Sequence, residues 1–371
     1  MKRVLLIAPT GEVVHKQNSS GIGSWAIKFV KNFKSDHFEI TSIDAMPRFG
    51  NKMGYSNLRR ILTGLWDLII LAHQVRTILK GQRFDIMHTT TSGSFGSLRD
   101  YVLCRICKRK GTKCILHCRY GAIPTIIECG GFNKWSLLLT MKQYDNIWIL
   151  DRKTEEILKS IPSLNQKIYL IPNGIDVPRE YDNSPKKFNN VAFIGNLIPT
   201  KGIFELIEAF ISMQNKDVTL FIVGGGSPKT ERRIAEILDQ YKDKNIQIIG
   251  PLPNPMAVEF LKSMDILALP TYFPSEAFPI SILEAMSLGK LVISTYRAAI
   301  PDMLTDADGS KCGLLVGEKN ASAIREAIEF CIENAAYANM LCEKAYRKVR
   351  NFYSTEIIYN MIETRYASLL S

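Results

Sequence analysis

At 371 residues the chain is long for one hydrophobic core and comfortable for two. Its 46% hydrophobic and 22% charged residues are those of an ordinary globular protein and exclude an intrinsically disordered chain. The net charge of +11 is uneven: residues 1–175 carry 26 Lys and Arg against 12 Asp and Glu, a net of +14, and residues 176–371 carry 21 against 24, a net of −3.

Residues 1–9 have a basic head and an apolar run of about five residues, too short for a secretory signal and suited to a first buried strand. Gly21 and Gly23 follow, inside Ser19-Ser-Gly-Ile-Gly23. Glycines between a strand end and a helix start either let backbone amides approach a ligand or make a plain turn. Residues 24–33 repeat apolar positions at spacings of three and four and predict a helix. Residues 57–80 predict a longer one, apolar in the middle and basic at both ends. That pattern suits a helix in a membrane interface, with Trp66 as anchor and Arg59, Arg60, Arg76 and Lys80 meeting lipid phosphates. It also suits a helix packed on a sheet, which the apolar character of nearly every position from Leu65 to Ala72 favours. No stretch is long enough to span a bilayer, so a soluble or peripheral cytoplasmic protein is expected.

Residues 84–88 and 113–117 predict short strands ending on His88 and His117, with a helix over 98–110 between them. Ligands of doubly wound sheets bind beyond the strand C-termini, which points to His88-Thr-Thr-Thr-Ser92 and His117-Cys-Arg-Tyr-Gly121 as cleft segments. A histidine at such a position is either structural or chemical. Cys104-x-x-Cys107 and Cys114-x-x-x-Cys118 resemble zinc spacings, but one pair falls on the helix and the other on the strand, so buried free thiols are expected and no metal. Residues 144–150 and 167–171 predict the last strands of a first domain, 1–176, closed by Pro172-Asn-Gly-Ile-Asp176. Polar residues 177–188, with two prolines, predict a linker. A second domain, 189–352, alternates strand and helix, with strands at 191–194, 219–223, 246–249, 266–269 and 291–294. Ser354 caps a last helix over 355–369 within a final segment, 353–371.

The densest chemistry lies between the last two of those strands. Glu276-Ala-Phe-Pro-Ile-Ser-Ile-Leu-Glu284 places one carboxylate in a loop and a second in a short helix opened by Pro279 and followed by Gly289. The leading amides of such a helix, including Ile280 and Ser281, favour an anion, and a phosphate fits there. Two acids near a helix start also occur for dipole reasons alone.

This Glu, seven residues and Glu resembles the signature of the family 4 retaining glycosyltransferases. The resemblance continues through Phe193-Ile-Gly-Asn-Leu-Ile-Pro-Thr-Lys-Gly202, Leu220-Phe-Ile-Val-Gly-Gly-Gly226 and Gly313-Leu-Leu-Val-Gly317, over about residues 165–350. It implies an α/β protein of the GT-B fold: two Rossmann-like doubly wound parallel-sheet domains facing a central cleft, with the C-terminal helix crossing back to the first. It also implies sugar transfer from a UDP- or GDP-type donor to a glycan or lipid-linked acceptor. No metal or other cofactor is expected, and an anionic membrane surface is a further partner that the basic half suits. Nucleic acid is not expected, since no aromatic-interleaved basic repeat is present.

Residue by residue, the resemblance makes Lys201 the diphosphate counter-charge, Glu276 the holder of donor-sugar hydroxyls and Glu284 the ribose acceptor. Gly195, Asn196, the amides of Ala277, Phe278 and Ile280, and Gly250 with Leu252 complete the donor side. Gly21, Gly23, His88, His117 and Arg119 form the acceptor side, with His117 also a catalytic candidate. The family usually has Arg where this chain has Asn196, which removes a cation. A sugar-nucleotide epimerase or hydrolase on this fold, or a non-catalytic nucleotide-sugar binder, are the alternatives.

Overall fold

The computed structural model describes residues 1–11, 21–48, 57–91, 93, 96–182 and 184–371. It divides into two units, Met1–Asn173 with Tyr359–Ser371, and Gly174–Ile358.

The first unit contains strands β1 (Lys2–Ala8), β2 (Phe38–Asp44), β3 (Ile86–Thr91), β4 (Lys113–Cys118), β5 (Asn146–Ile149) and β6 (Ile168–Leu170). Between them run helices α1 (Gly21–Asn32), α2 (Asn57–Gly81), α3 (Gly96–Lys108), α4 (Ile123–Cys129), α5 (Gly131–Gln143) and α6 (Arg152–Lys159). The strands form one sheet, ordered β2-β1-β3-β4-β5-β6, with every pairing parallel. A parallel sheet needs crossovers, and right-handed crossovers stepping the same way along it put α2, α3 and α5 on one face. Leu5, Ile7, Met87 and Leu116 point into that face, where they form one core with Leu71, Leu103 and Leu137. His88, His117 and Trp148, one residue on along each strand, face the other side, the histidines against Trp25 and Phe29 of α1 and Trp148 against both histidines.

Helix α2 departs from the simple packing expectation. Its C-terminal half buries Leu71, Ala72, Val75 and Leu79, whereas Leu65, Trp66 and Ile69 are exposed. The reason is length: 25 residues of helix run about 37 Å at 1.5 Å per residue, and the six-residue β3 beneath about 20 Å. The N-terminal half overhangs the sheet. Seven of the eight cysteines are buried and all are free. Burial pushes the Cys107 thiol up to about 12 and raises Cys118, while the hydrogen bond with Cys104, ahead of burial, raises Cys114. Among the described residues no group of three or more His, Cys, Asp or Glu is placed to hold a metal ion.

The second unit contains β7 (Asn190–Ile194), β8 (Thr219–Val223), β9 (Ile246–Gly250), β10 (Ile266–Leu269), β11 (Leu291–Thr295) and β12 (Leu314–Val316). Its helices are α7 (Ile203–Ser212), α8 (Pro228–Gln240), α9 (Asn254–Lys262), α10 (Ile280–Ser287), α11 (Ile300–Leu304), α12 (Ala321–Glu333) and α13 (Ala335–Lys348). Helix α14 (Thr355–Leu370) ends the chain, and the division between units falls inside it. The strand order is β12-β11-β10-β7-β8-β9, again all parallel. From β7 the chain winds outward one way through β8 and β9, then returns beside β7 as β10 and winds the other way. The β7–β10 seam is therefore the topological switch point, where loops leaving the two strands diverge and open a crevice. No helix among the described residues is long and apolar enough to cross a membrane.

Candidate active site

Strand β10 is apolar throughout and fully buried because both its neighbours are central strands. Pro270 ends it, having no N–H for the ladder. The chain then turns, Glu276 N–H donating to Phe273 O at 3.0 Å, and enters α10 after Pro279, which occupies the cap position, one residue earlier than the first helical position that its chemistry suggests. A proline cap offers no side-chain acceptor, and no side chain caps this helix. The leading amides of α10 have no acceptor within their own helix and carry the positive end of its dipole.

The loop leaving β7 meets this segment closely. Pro199–Lys201 forms a single 3-10 turn, and Gly202 follows with φ +80°; a Cβ there would lie 2.2 Å from the carbonyl oxygen of Pro270. Only glycine permits that approach. Its consequence is that Lys201 Nζ reaches Glu276 Oε2 at 2.5 Å, across the switch point, with both side chains mostly buried. Thr271 Oγ1 donates to the same carboxylate oxygen at 3.1 Å. Tyr272 N–H donates to Thr200 O at 2.8 Å and ties the two loops together.

Glu284 is buried in α10 and accepts from Asn254 Nδ2 at 2.8 Å. Ala277 and Phe278 are buried, Ile280 is half-buried, and Ala277 O accepts from Ala299 N–H at 3.0 Å. Gly195 follows β7, Gly250 ends β9, and Gly224 lies between them: Gly195 N–H donates to Val223 O and Gly224 N–H to Gly250 O. A Cβ on Gly224 would come within 1.9 Å of Gly195 O, so these loops pack backbone to backbone. Asn196 is exposed and Leu252 half-buried. The donor-side residues named from sequence thus all sit on loops or on the helix at the C-terminal ends of β7, β9 and β10.

Thr271, Asn254 and Arg297 are additions. Arg297 Nε donates to Phe273 O at 3.2 Å, while the Lys201 ammonium sits 5.4 Å from the Phe273 ring centre, so a second basic side chain reaches the same loop. No spacing rule points to these three; Thr271 alone carries a signal, as the first polar residue after an apolar strand.

In the first unit, β3 continues past the expected end to Thr91, which leaves His88 mid-strand. His88 and His117 have no solvent exposure. Arg119 Nη1 lies 3.2 Å from His117 Nε2, His117 Nδ1 3.1 Å from His88 Nε2, and His88 Nδ1 2.6 Å from Tyr366 Oη. A guanidinium only donates, so His117 Nε2 accepts, His117 Nδ1–H donates to His88, and His88 Nδ1–H donates to Tyr366. Burial first, then the Arg119 charge, lowers His88 to about 3 and holds His117 well below its ordinary value. Both rings are neutral and fully occupied. The ring nitrogens of His88 and His117, named from sequence as acceptor-side residues and His117 also as a catalytic candidate, are thus engaged with each other, Arg119 and Tyr366 within the first unit.

Arg119 is different. It packs 4.0 Å over Trp25, donates to Asn173 Oδ1, and has no partner for Nε among the described residues. Burial lowers it to about 9, which leaves it a cation at neutral pH. Gly21 and Gly23 lie in the first turn of α1 rather than in a loop, and Ser19, Ser20 and Ser92 fall outside the described residues.

Residues 177–348 match the model of the family described as glycosyl transferases group 1. The chain is 26% identical over 182 residues to the capsular polysaccharide biosynthesis glycosyltransferase CapM of Staphylococcus aureus, covering 48% of this chain and 46% of that one. It is 29% identical over 171 residues to the D-inositol 3-phosphate glycosyltransferase of Corynebacterium glutamicum, covering 44% and 39%. The matched region thus spans 39–46% of the length of these curated relatives. Among solved structures, sucrose-phosphate synthase from Thermosynechococcus elongatus superposes with a TM-score of 0.78 at 16% identity, covering 100% of this chain and 99% of that one. Anabaena HepE in complex with UDP-glucose does so at 0.72 and 14%, covering 99% and 100%. The fold is GT-B.

Proposed function

We propose, for a chain whose residues 177–348 match the model of the glycosyl transferases group 1, that it moves a hexose-type sugar from a nucleoside diphosphate donor to a glycan or lipid-linked acceptor, with retention of anomeric configuration. One observation carries the reading. The Lys201–Glu276 pair spans the switch point of the second sheet beside a helix whose leading end has no side-chain cap. That arrangement offers a cation and free amides to a diphosphate and a carboxylate to sugar hydroxyls.

In the proposed reaction the bond from the anomeric carbon to phosphate oxygen breaks, and its electron pair leaves with the diphosphate. Lys201 and the amides of Ile280 and Ser281 stabilise that charge as it develops. Glu276, held by Thr271 and Lys201, fixes the sugar hydroxyls. Glu284, oriented by Asn254, accepts from the ribose. The acceptor oxygen attacks on the face from which the diphosphate departs and passes its proton to the leaving phosphate oxygen. In the first unit, Arg119 is the acceptor-side residue we retain, as a buried cation with a donor to spare.

A nucleotide-release assay with UDP- and GDP-sugars tests the proposal. Release that depends strictly on an added glycan or lipid-linked glycan supports transfer. Release at the same rate without acceptor points to hydrolysis or epimerisation. The exposed Asn196, in place of a cation, favours one second reading, a non-catalytic donor binder; tight donor binding with no turnover over a broad acceptor panel would establish it.

A further inference from the structure

We propose that α2 lays one face on an anionic lipid surface, and that this face is the membrane-docking surface of the first unit. The apolar part is Leu62, Leu65, Trp66 and Ile69, which are 51%, 43%, 59% and 58% exposed. Spaced at three and four, they form a single stripe on the overhanging half of the helix. At 100° per residue, Arg59 falls on the same stripe one turn before them, and Arg76 and Lys80 fall on it beyond them; all three are exposed. An apolar segment is therefore flanked by cations along one line of the surface. Asp67 lies off the stripe, half-buried, and accepts from Arg48 N–H at 3.2 Å.

Charge chooses the occupant. A bilayer surface supplies hydrocarbon for the apolar segment and anionic headgroups for cations at both of its ends, and tryptophan prefers that boundary. The apolar segment is about 10 Å long, far short of a bilayer's hydrocarbon core, so the helix lies in the interface plane. A second exposed patch supports the orientation. Phe132 and Trp135 are 73% and 59% exposed at the start of α5, with ring centres 5.6 Å apart. Helix α5 packs on α3 and α3 on α2, and in a parallel sheet the leading ends of these crossover helices lie at one end. Both patches thus crown the same end of the first unit. The surrounding charge agrees, with residues 1–175 at +14.

The experiment is co-sedimentation of the full chain, without donor, with vesicles of phosphatidylcholine alone or mixed with phosphatidylglycerol. Binding is expected to the mixed vesicles and to weaken with salt. Trp66→Ser with Ile69→Ser, both at exposed positions, keeps the melting temperature and loses vesicle binding at every salt concentration. Arg76→Gln with Lys80→Gln weakens binding roughly fivefold per cation removed and flattens its salt dependence. No sedimentation with phosphatidylglycerol vesicles overturns the proposal, as does equal binding by both double variants and the parent. A dimer in solution that the Trp66/Ile69 variant breaks, with no vesicle binding, also overturns it and assigns the face to a second copy. None of these outcomes depends on sugar transfer.

Discussion

Lys201 and Glu276 are 75 residues apart in sequence and 2.5 Å apart in space, and neither is comfortable alone. Removing one member of a mostly buried ion pair leaves the other charged and desolvated, which costs roughly 3–5 kcal/mol when burial is complete and less here, where Lys201 keeps some exposure. Lys201→Ala is therefore expected to lower the melting temperature of the second unit as well as its turnover. Lys201→Met with Glu276→Gln, which removes both charges, should regain most of the stability and none of the activity. Scanning calorimetry beside kcat/KM separates the two effects. An active Lys201→Met/Glu276→Gln enzyme would show that the pair is only structural. Glu284 acts on another part of the ligand. With Asn254 donating to one carboxylate oxygen, Glu284→Gln keeps the shape but replaces one acceptor oxygen with a donor. Nucleotide affinity should fall about tenfold, on the scale of one lost hydrogen bond to a charged group, and titration calorimetry with free nucleotide reads it directly. An unchanged affinity would move the ribose elsewhere.

At the scale of elements, β3, β4 and α14 share the chain of hydrogen bonds from Arg119 through His117 and His88 to Tyr366, and α1 packs Trp25 and Phe29 against its rings. A histidine held near 3 in the fold and near 6.5 when unfolded takes up its proton only on unfolding, so the unfolded state binds more protons between those values. Stability is thus fully present above about pH 6.5 and falls as the pH drops below it. His88 alone gives a slope of about 1.4 kcal/mol per pH unit, and His117 adds in the same direction. Urea unfolding from pH 7.5 to pH 5 should show this loss in the first unit, and His88→Gln, which hydrogen-bonds without titrating, should shrink it. A parent protein equally stable at both pH values would mean that the rings are protonated or open to water. The same elements show what was legible. β1, β4, β10 and β11 each carry an apolar run of three or more residues because central parallel strands are covered on both faces. β2, at a sheet edge and half-buried over Ile40–Ser42, has no such run, and β12 has only three residues. The two acids could be read because their spacing belongs to one strand-loop-helix unit, β10 to α10, and Lys201 because it sits in the loop of another, β7 to α7. The histidines could not, because the threonines that extend β3 are polar, and what covers a strand face comes from α14, some 280 residues away in sequence.

On the scale of the whole molecule, the two units have separate cores, and they differ in how much of their chemistry is written locally. The family match falls on 177–348, inside the second unit, whereas the structural likeness covers the entire chain. A doubly wound sheet asks only for apolar strands and amphipathic helices, which many sequences satisfy; a diphosphate at a switch point asks for particular side chains at particular offsets. A donor held as proposed should therefore act unevenly. A ligand at a hundred times its Kd stabilises the state that binds it by about 2.7 kcal/mol. For a unit the size of Gly174–Ile358 that raises the melting temperature by about 2–4 °C per kcal/mol, while a transition belonging to Met1–Asn173 moves less. Hydrogen exchange with saturating nucleotide-sugar locates the effect, with slowed amides expected at 195–202, 250–254 and 276–284 because those loops are the ones the donor orders. Protection confined to 1–173, with 195–284 unchanged, would take the donor away from the second sheet and leave the Lys201–Glu276 pair without a ligand to serve.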